Sequence, residues 1–122
     1  MIKVILDTNF LIYCAKQKLD YVDEISKIMK YGFELITISL VAEELEELGK
    51  KEKKLSDREA AKLALKLLKA GNVKIISVSG DNADDEIIKL SKGNIIATLD
   101  REIRENVEKS IIIREGKTLE FG

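Results

Sequence analysis

The sequence predicts an α/β domain of three layers, a central and mainly parallel sheet with helices on both faces. Runs of β-branched and aliphatic residues, such as Ile2-Lys3-Val4-Ile5-Leu6 and Asn94-Ile95-Ile96-Ala97-Thr98-Leu99, alternate with amphipathic stretches of helical period to the end of the chain. No repeat, low-complexity tract or linker interrupts them. Strands separated by helices need right-handed crossovers, and these cover both faces of the sheet they join. A length of 122 residues suits one domain, 1–122, with a single core and no need of disulfides.

Taken in order, residues 2–6 read as a buried strand and residues 8–16 as a short helix entered through Asp7 or Thr8. Asp20 caps a second helix, whose Val22, Ile25, Ile28 and Met29 keep helical spacing up to Gly32. Phe33 to Ile38 is the next strand. Ser39 is expected to cap a helix running to Leu48 and closed by Gly49. Lys50 to Leu55 reads as a basic turn, and Ser56 with Glu59 as a capping box opening a helix through Leu68, with Gly71 past its end. A strand over 73–78, a helix over 82–92, a strand over 94–99, a helix from Asp100 to about Val107 and a strand over 110–113 follow. Residues 117–121 close the chain as a short edge strand.

Composition removes several chemistries. There is no histidine, which excludes Ser-His-Asp and Cys-His sites and ordinary zinc fingers. The lone cysteine, Cys14, sits among Leu11, Ile12 and Ala15 and reads as a small core residue. A net charge of −1 gives no global basic field. No apolar run is long enough to span a bilayer, and no leader-like segment precedes the first strand, so the expected location is cytoplasmic.

Carboxylates are what remains. The first strand ends at Asp7 and the run 94–99 ends at Asp100, and in open α/β sheets ligands sit at the carboxyl ends of strands. Glu44 falls three residues after Val41 and four before Leu48, so it borders the apolar side of its helix, while Glu43, Glu46 and Glu47 turn toward water. Asp84 precedes Ile87 and Ile88 by three and four and is expected to share their inward side; Asp85 and Glu86 are expected to face solvent. Each acid alone also has a plain structural account: Asp7 and Asp100 as helix caps, Asp84 as a first-turn acid, Glu44 as a solvated helix residue. Together they form an oxygen-donor set for a hard cation, Mg²⁺ or Mn²⁺, which would make an acid–base histidine unnecessary. Thr8, Asn9 and Thr98 are polar neighbours suited to orient the acids.

Four segments carry a family likeness: Asp7-Thr8-Asn9-Phe10-Leu11, Val41-Ala42-Glu43-Glu44-Leu45, Ala83-Asp84-Asp85-Glu86-Ile87, and Ile96-Ala97-Thr98-Leu99-Asp100-Arg101-Glu102. In this order they resemble the PIN-domain ribonucleases over nearly the whole chain. The last two look most like the branch involved in small-subunit ribosomal RNA processing; VapC toxins share the general frame. The resemblance implies Mg²⁺- or Mn²⁺-dependent endonucleolytic cleavage of single-stranded RNA, pre-rRNA being one such substrate. It implies Asp7, Glu44, Asp84 and Asp100 as metal-binding and catalytic acids, with Asn9 and Thr98 as supporting polar residues. Where the related branch has an aspartate two places after Asp100, this chain has Glu102, whose part stays open. Arg101 and Arg104 stand beside the site as candidate RNA contacts, with Glu102, Glu105 and Glu108 offering a salt-bridged face instead. Other readings are a VapC-type toxin and a non-catalytic PIN scaffold that binds RNA or assembles with partners; no membrane partner is expected, and a homodimer stays open. Phosphatases of the haloacid dehalogenase type fit less well, since Asn9 stands where their second aspartate belongs.

Overall fold

A computed structural model describes residues 1–122. In chain order the elements are β1 (Ile2–Leu6), α1 (Thr8–Gln17), α2 (Tyr21–Ile28), β2 (Phe33–Ile38), α3 (Ser39–Lys51), α4 (Leu55–Ala70), β3 (Val73–Ile76), α5 (Ala83–Leu90), β4 (Ile95–Ala97), α6 (Arg101–Glu105), β5 (Ser110–Arg114) and β6 (Thr118–Phe121). The six strands form one sheet in the order β3-β2-β1-β4-β5-β6. All neighbours are parallel except β5 and β6, whose short connection allows only an antiparallel return. This is the α/β sheet that the alternating pattern predicts. No helix is long and apolar enough to cross a membrane.

The two central strands explain the position of the site. In β1, Val4, Ile5 and Leu6 are fully buried, and in β4 so are Ile95, Ile96 and Ala97, because the sheet is covered on both faces. Register pairs Leu6 with Ala97 and Ile5 with Ile96, so the residues that follow, Asp7 and Thr98, emerge side by side. Phe10, Leu11, Ile25, Val41, Leu45, Leu68, Ile87 and Ile103 complete the core from the helices. Each such side chain contributes about 1.5–3 kcal/mol when buried.

Four local expectations are corrected. Ser39 does not cap α3: it is the first helical residue, Ile38 holds the cap position without a side-chain bond, and the Ser39 hydroxyl accepts the Val78 N–H at 3.2 Å. Gly49 does not close α3, which continues to Lys51. It lies buried where α3 packs on α4, and a Cβ there would stand 3.0 Å from Cγ of Lys62. Close helix packing, not termination, accounts for this glycine. Nor do Ser56 and Glu59 form a capping box, since α4 starts one residue earlier at Leu55 with Lys54 at the cap and no side-chain bond. Gly32 likewise lies beyond the end of α2, which stops at Ile28. By contrast Asp20 and Asn82 cap α2 and α5, accepting the N–H groups of Asp23 and Asp85.

Candidate functional site

The site is built around Asp7. Its backbone N–H still belongs to the sheet, donating to the Ala97 carbonyl at 3.1 Å, while its side chain already caps α1. Oδ1 accepts the Thr8 N–H at 2.8 Å and Oδ2 accepts the Thr98 hydroxyl at 2.7 Å. Both residues are buried, Asp7 at 4% exposure and Thr98 at 0%. The Thr98 oxygen in turn accepts the Asp100 N–H at 3.0 Å. One hydroxyl therefore ties the acid of the first strand to the backbone of the acid after β4. Asp100 itself caps α6 through Oδ1, which accepts the Glu102 N–H at 2.9 Å. The capping and site readings of Asp7 and Asp100 are thus both compatible with the geometry. Thr37, a polar residue inside the apolar strand Phe33-Glu34-Leu35-Ile36-Thr37-Ile38, donates to the Leu6 carbonyl at 2.7 Å and steadies the chain just before Asp7. Its isolated hydroxyl near the end of an apolar run was the available sequence signal.

Burial pushes the Asp7 carboxyl up to about 6; repulsion from Asp84 and Glu44 adds to the rise, against the lowering bonds from Thr98 and Thr8. Asp84 on α5 is also raised, first by partial desolvation, then by the charges of Asp100, Glu44, Glu102 and Asp85. The acids of four separate elements therefore share one electrostatic neighbourhood. None of Asp7, Glu44, Asp84, Asp100 or Glu102 is paired with a lysine or arginine, whereas Glu46, Glu47, Glu86 and Glu105 on the same helices are. No three of these acids are already drawn together into a closed ligand set.

Exposure differs from the sequence expectation at three residues. Glu44 and Asp84 are solvent-exposed, although their fields still reach Asp7. Glu86, expected to point to water, is largely covered: its carboxyl fills the space where a Cβ on Gly80 would sit. Asn9 is exposed on α1. Arg101 is exposed and spends its guanidinium on Glu105, Nε to Oε1 at 2.9 Å, as the salt-bridged alternative expects. Arg104 is half-buried with no such partner.

The donor set matches a hard divalent cation: carboxylate oxygens, hydroxyls and an amide, with no imidazole and no thiolate nearby. The Thr8 hydroxyl, buried beside Asp7, has no hydrogen-bond partner within the protein. A desolvated carboxylate and an unsatisfied hydroxyl at one strand end form a place where a cation with its waters fits.

A parallel-sheet α/β fold with acids gathered at the carboxyl ends of its two central strands defines a PIN-like domain. The family described as PIN like domain matches residues 4–114, and the chain belongs to it. Ribonuclease VapC4 of Methanocaldococcus jannaschii is 34% identical over 99% of this chain and 97% of the relative. Among solved structures, the PIN domain endonuclease Utp24 shares the fold with a TM-score of 0.78 at 22% identity, covering 98% of this chain and 90% of the other. A chain from the structure of VapBC2 of Rickettsia felis, bound to a DNA fragment from their promoter, aligns with a TM-score of 0.62 at 14% identity, over 93% of this chain and all of that one.

Proposed function

We propose that the chain is a Mg²⁺- or Mn²⁺-dependent endoribonuclease that cleaves single-stranded RNA, with Asp7, Glu44, Asp84 and Asp100 as its metal-binding and catalytic acids. The observation that carries this reading is Asp7, a buried carboxylate raised by desolvation and by neighbouring acids, with no cationic side chain to balance it. A cluster of that kind is relieved at neutral pH by positive charge from outside the chain. Bound there, a divalent ion would lower the pKa of water and neutralise charge on a phosphate.

The chain's own residues do the positioning. Thr8 N–H and the Thr98 hydroxyl hold one Asp7 oxygen each, which fixes the plane of the carboxylate. Asp100 is held against rotation by its cap bond to Glu102 N–H. Glu44 and Asp84, being exposed, bring charge to the side from which a strand approaches, and the exposed Asn9 amide can orient water or a phosphate oxygen. Arg101 and Arg104 follow Asp100 on α6, where cations would offset the acids' repulsion of RNA.

Two biological settings have support. The combination of Ala83-Asp84-Asp85 with the run 96–103 favours ribosomal RNA processing. The 34% identity to Ribonuclease VapC4 favours a VapC-type toxin. A cleavage assay on single-stranded RNA with Mg²⁺, Mn²⁺ or chelator tests the chemistry: cleavage that needs the metal and is lost in Asp7→Asn supports it, and no cleavage of any RNA turns the reading to a non-catalytic scaffold. An antitoxin-like reading frame beside the gene, with growth arrest on expression, would decide for the toxin; accumulation of uncleaved pre-rRNA on deletion would decide for processing.

A further inference from the structure

We propose that Arg104 and Arg114 form a phosphate-binding notch beside the acids, which takes a phosphodiester of the same RNA strand; this rests on the nuclease reading and deepens it. The notch has a volume of about 220 Å³ and is lined by Leu99, Arg104, Ile112, Ile113 and Arg114. It lies at the carboxyl ends of β4 and β5, because Ala97 pairs with Ile111 and the Thr98 N–H donates to the Ile111 carbonyl at 3.2 Å. It therefore opens at the same end of the sheet as Asp7 and Asp100. Arg104 stands one helical turn after Asp100, its N–H donating to the Asp100 carbonyl at 3.0 Å.

Arg104 differs from every other arginine in the chain. Arg58 donates to the Glu52 carbonyl, Arg101 pairs with Glu105, and Arg114 pairs with Glu120. Arg104 has no acid partner, and its Nε is shut off from solvent without any acceptor. A guanidinium stays charged at all working pH values and presents its donors as a planar fork matched to an oxyanion. The half-buried Arg104 guanidinium, with one donor unsatisfied, lacks an anion, and Arg114, held by Glu120, stands beside it in the notch. The notch is smaller than pockets that enclose drug-sized ligands, so it suits a single phosphate group resting on the apolar floor of Leu99, Ile112 and Ile113. Placed one turn from acids that repel a polyanion, it would hold the strand by a phosphate next to the one under attack.

Binding of a short single-stranded RNA, measured in chelator over a salt series, tests this without cleavage. Arg104→Gln should weaken binding by about tenfold and lower the slope of log K against log salt by about 0.7, the release expected for one phosphate contact on a single strand. Arg104→Lys should regain the slope but only part of the affinity, since charge is kept and the fork is lost. Arg114→Gln, exposed at a strand end, should lower the slope similarly, and serves if Arg104→Gln fails to fold. Lys27→Gln, on α2, should change neither quantity. The Arg104 Nε–H resonance should shift on adding RNA, and inorganic phosphate at the same concentration should leave it in place if the notch takes a strand. Unchanged affinity and slope in Arg104→Gln and Arg114→Gln, or an equal loss in Lys27→Gln, would overturn the notch, and an equal shift with inorganic phosphate would overturn its assignment to a strand. A chain that binds RNA through Arg104 but never cleaves it would refute the nuclease and leave the notch standing.

Discussion

Asp7 and Thr98, 91 positions apart in the chain, meet at 2.7 Å where β1 and β4 end side by side, with both side chains sealed from water. The contact decides how the buried carboxylate behaves. A hydroxyl donor favours the charged form, while burial disfavours it more strongly, and the balance lies near neutrality.

Thr98→Val keeps the shape but removes that donor and also the acceptor for the Asp100 N–H. The expected cost is about 1–3 kcal/mol at pH 7, the range for leaving a buried polar group unpaired. The loss should shrink below about pH 5, where Asp7 in the folded state is neutral. Urea unfolding of both proteins at the two pH values checks this; an equal loss at both would show that the bond to Asp7 is not its source.

Asp7 has a folded value of about 6 against an ordinary 3.8. Between those limits the folded state binds more protons than the unfolded one, so stability falls as pH rises from about 4 to 6. The full cost, on the order of 3 kcal/mol, is present at pH 7 and absent below pH 4. Asp7→Asn should therefore stabilise the metal-free protein at pH 7, by less than that figure because its amide must find new partners, and give no gain near pH 4. Thermal melts in chelator across this range provide the measurement.

Mn²⁺ or Mg²⁺ should raise the unfolding midpoint of the wild-type chain by mass action, by about 2.7 kcal/mol at a hundredfold excess over Kd. The same titration on Asp7→Asn should show a much smaller gain. A midpoint indifferent to millimolar Mn²⁺ would count against a metal site among these acids.

For activity, Asp7→Asn and Asp100→Asn should each lose most of the RNA cleavage while circular dichroism stays unchanged, since both swaps keep volume and remove charge. Glu43→Gln and Asp85→Asn should have much smaller effects. The acids that raise Asp7 are Asp84 and Glu44, not Glu43 or Asp85, and at Asp84 the charge of Asp85 ranks behind those of Asp100, Glu44 and Glu102. Undiminished cleavage by Asp7→Asn at matched purity would point to a different site or a contaminating nuclease.

Strand order was not written in any one segment, but the residues that build the centre were legible. Val4-Ile5-Leu6 and Ile95-Ile96-Ala97 are apolar without alternation, as strands buried on both faces are, and each runs directly into polar residues. Caps were less legible. Ser39 and Ser56 have the right residue type, but tertiary partners and a one-residue shift in helix start override it. Gly49 reads as a stop because its real cause, the close approach of α4, comes from residues well along the chain. Helical phase misjudged the exposure of Glu44, Asp84 and Glu86, because phase states which side of a helix a residue occupies, not whether a neighbour covers it. Arg101 and Arg104 are equal candidates by their place after Asp100; the want of a partner that sets Arg104 apart is visible only in three dimensions.

Strand β1 takes the middle of the sheet, and its neighbour on one side is β4, made some ninety residues later. Until that partner arrives, Asp7 lacks the backbone acceptor on Ala97 and the hydroxyl of Thr98. A growing or prematurely ended chain that stops before residue 95 thus cannot assemble the centre, whatever helices it has made. Whatever chemistry these acids perform is withheld until β4 has been made, a delay timed by chain topology without any inhibitor.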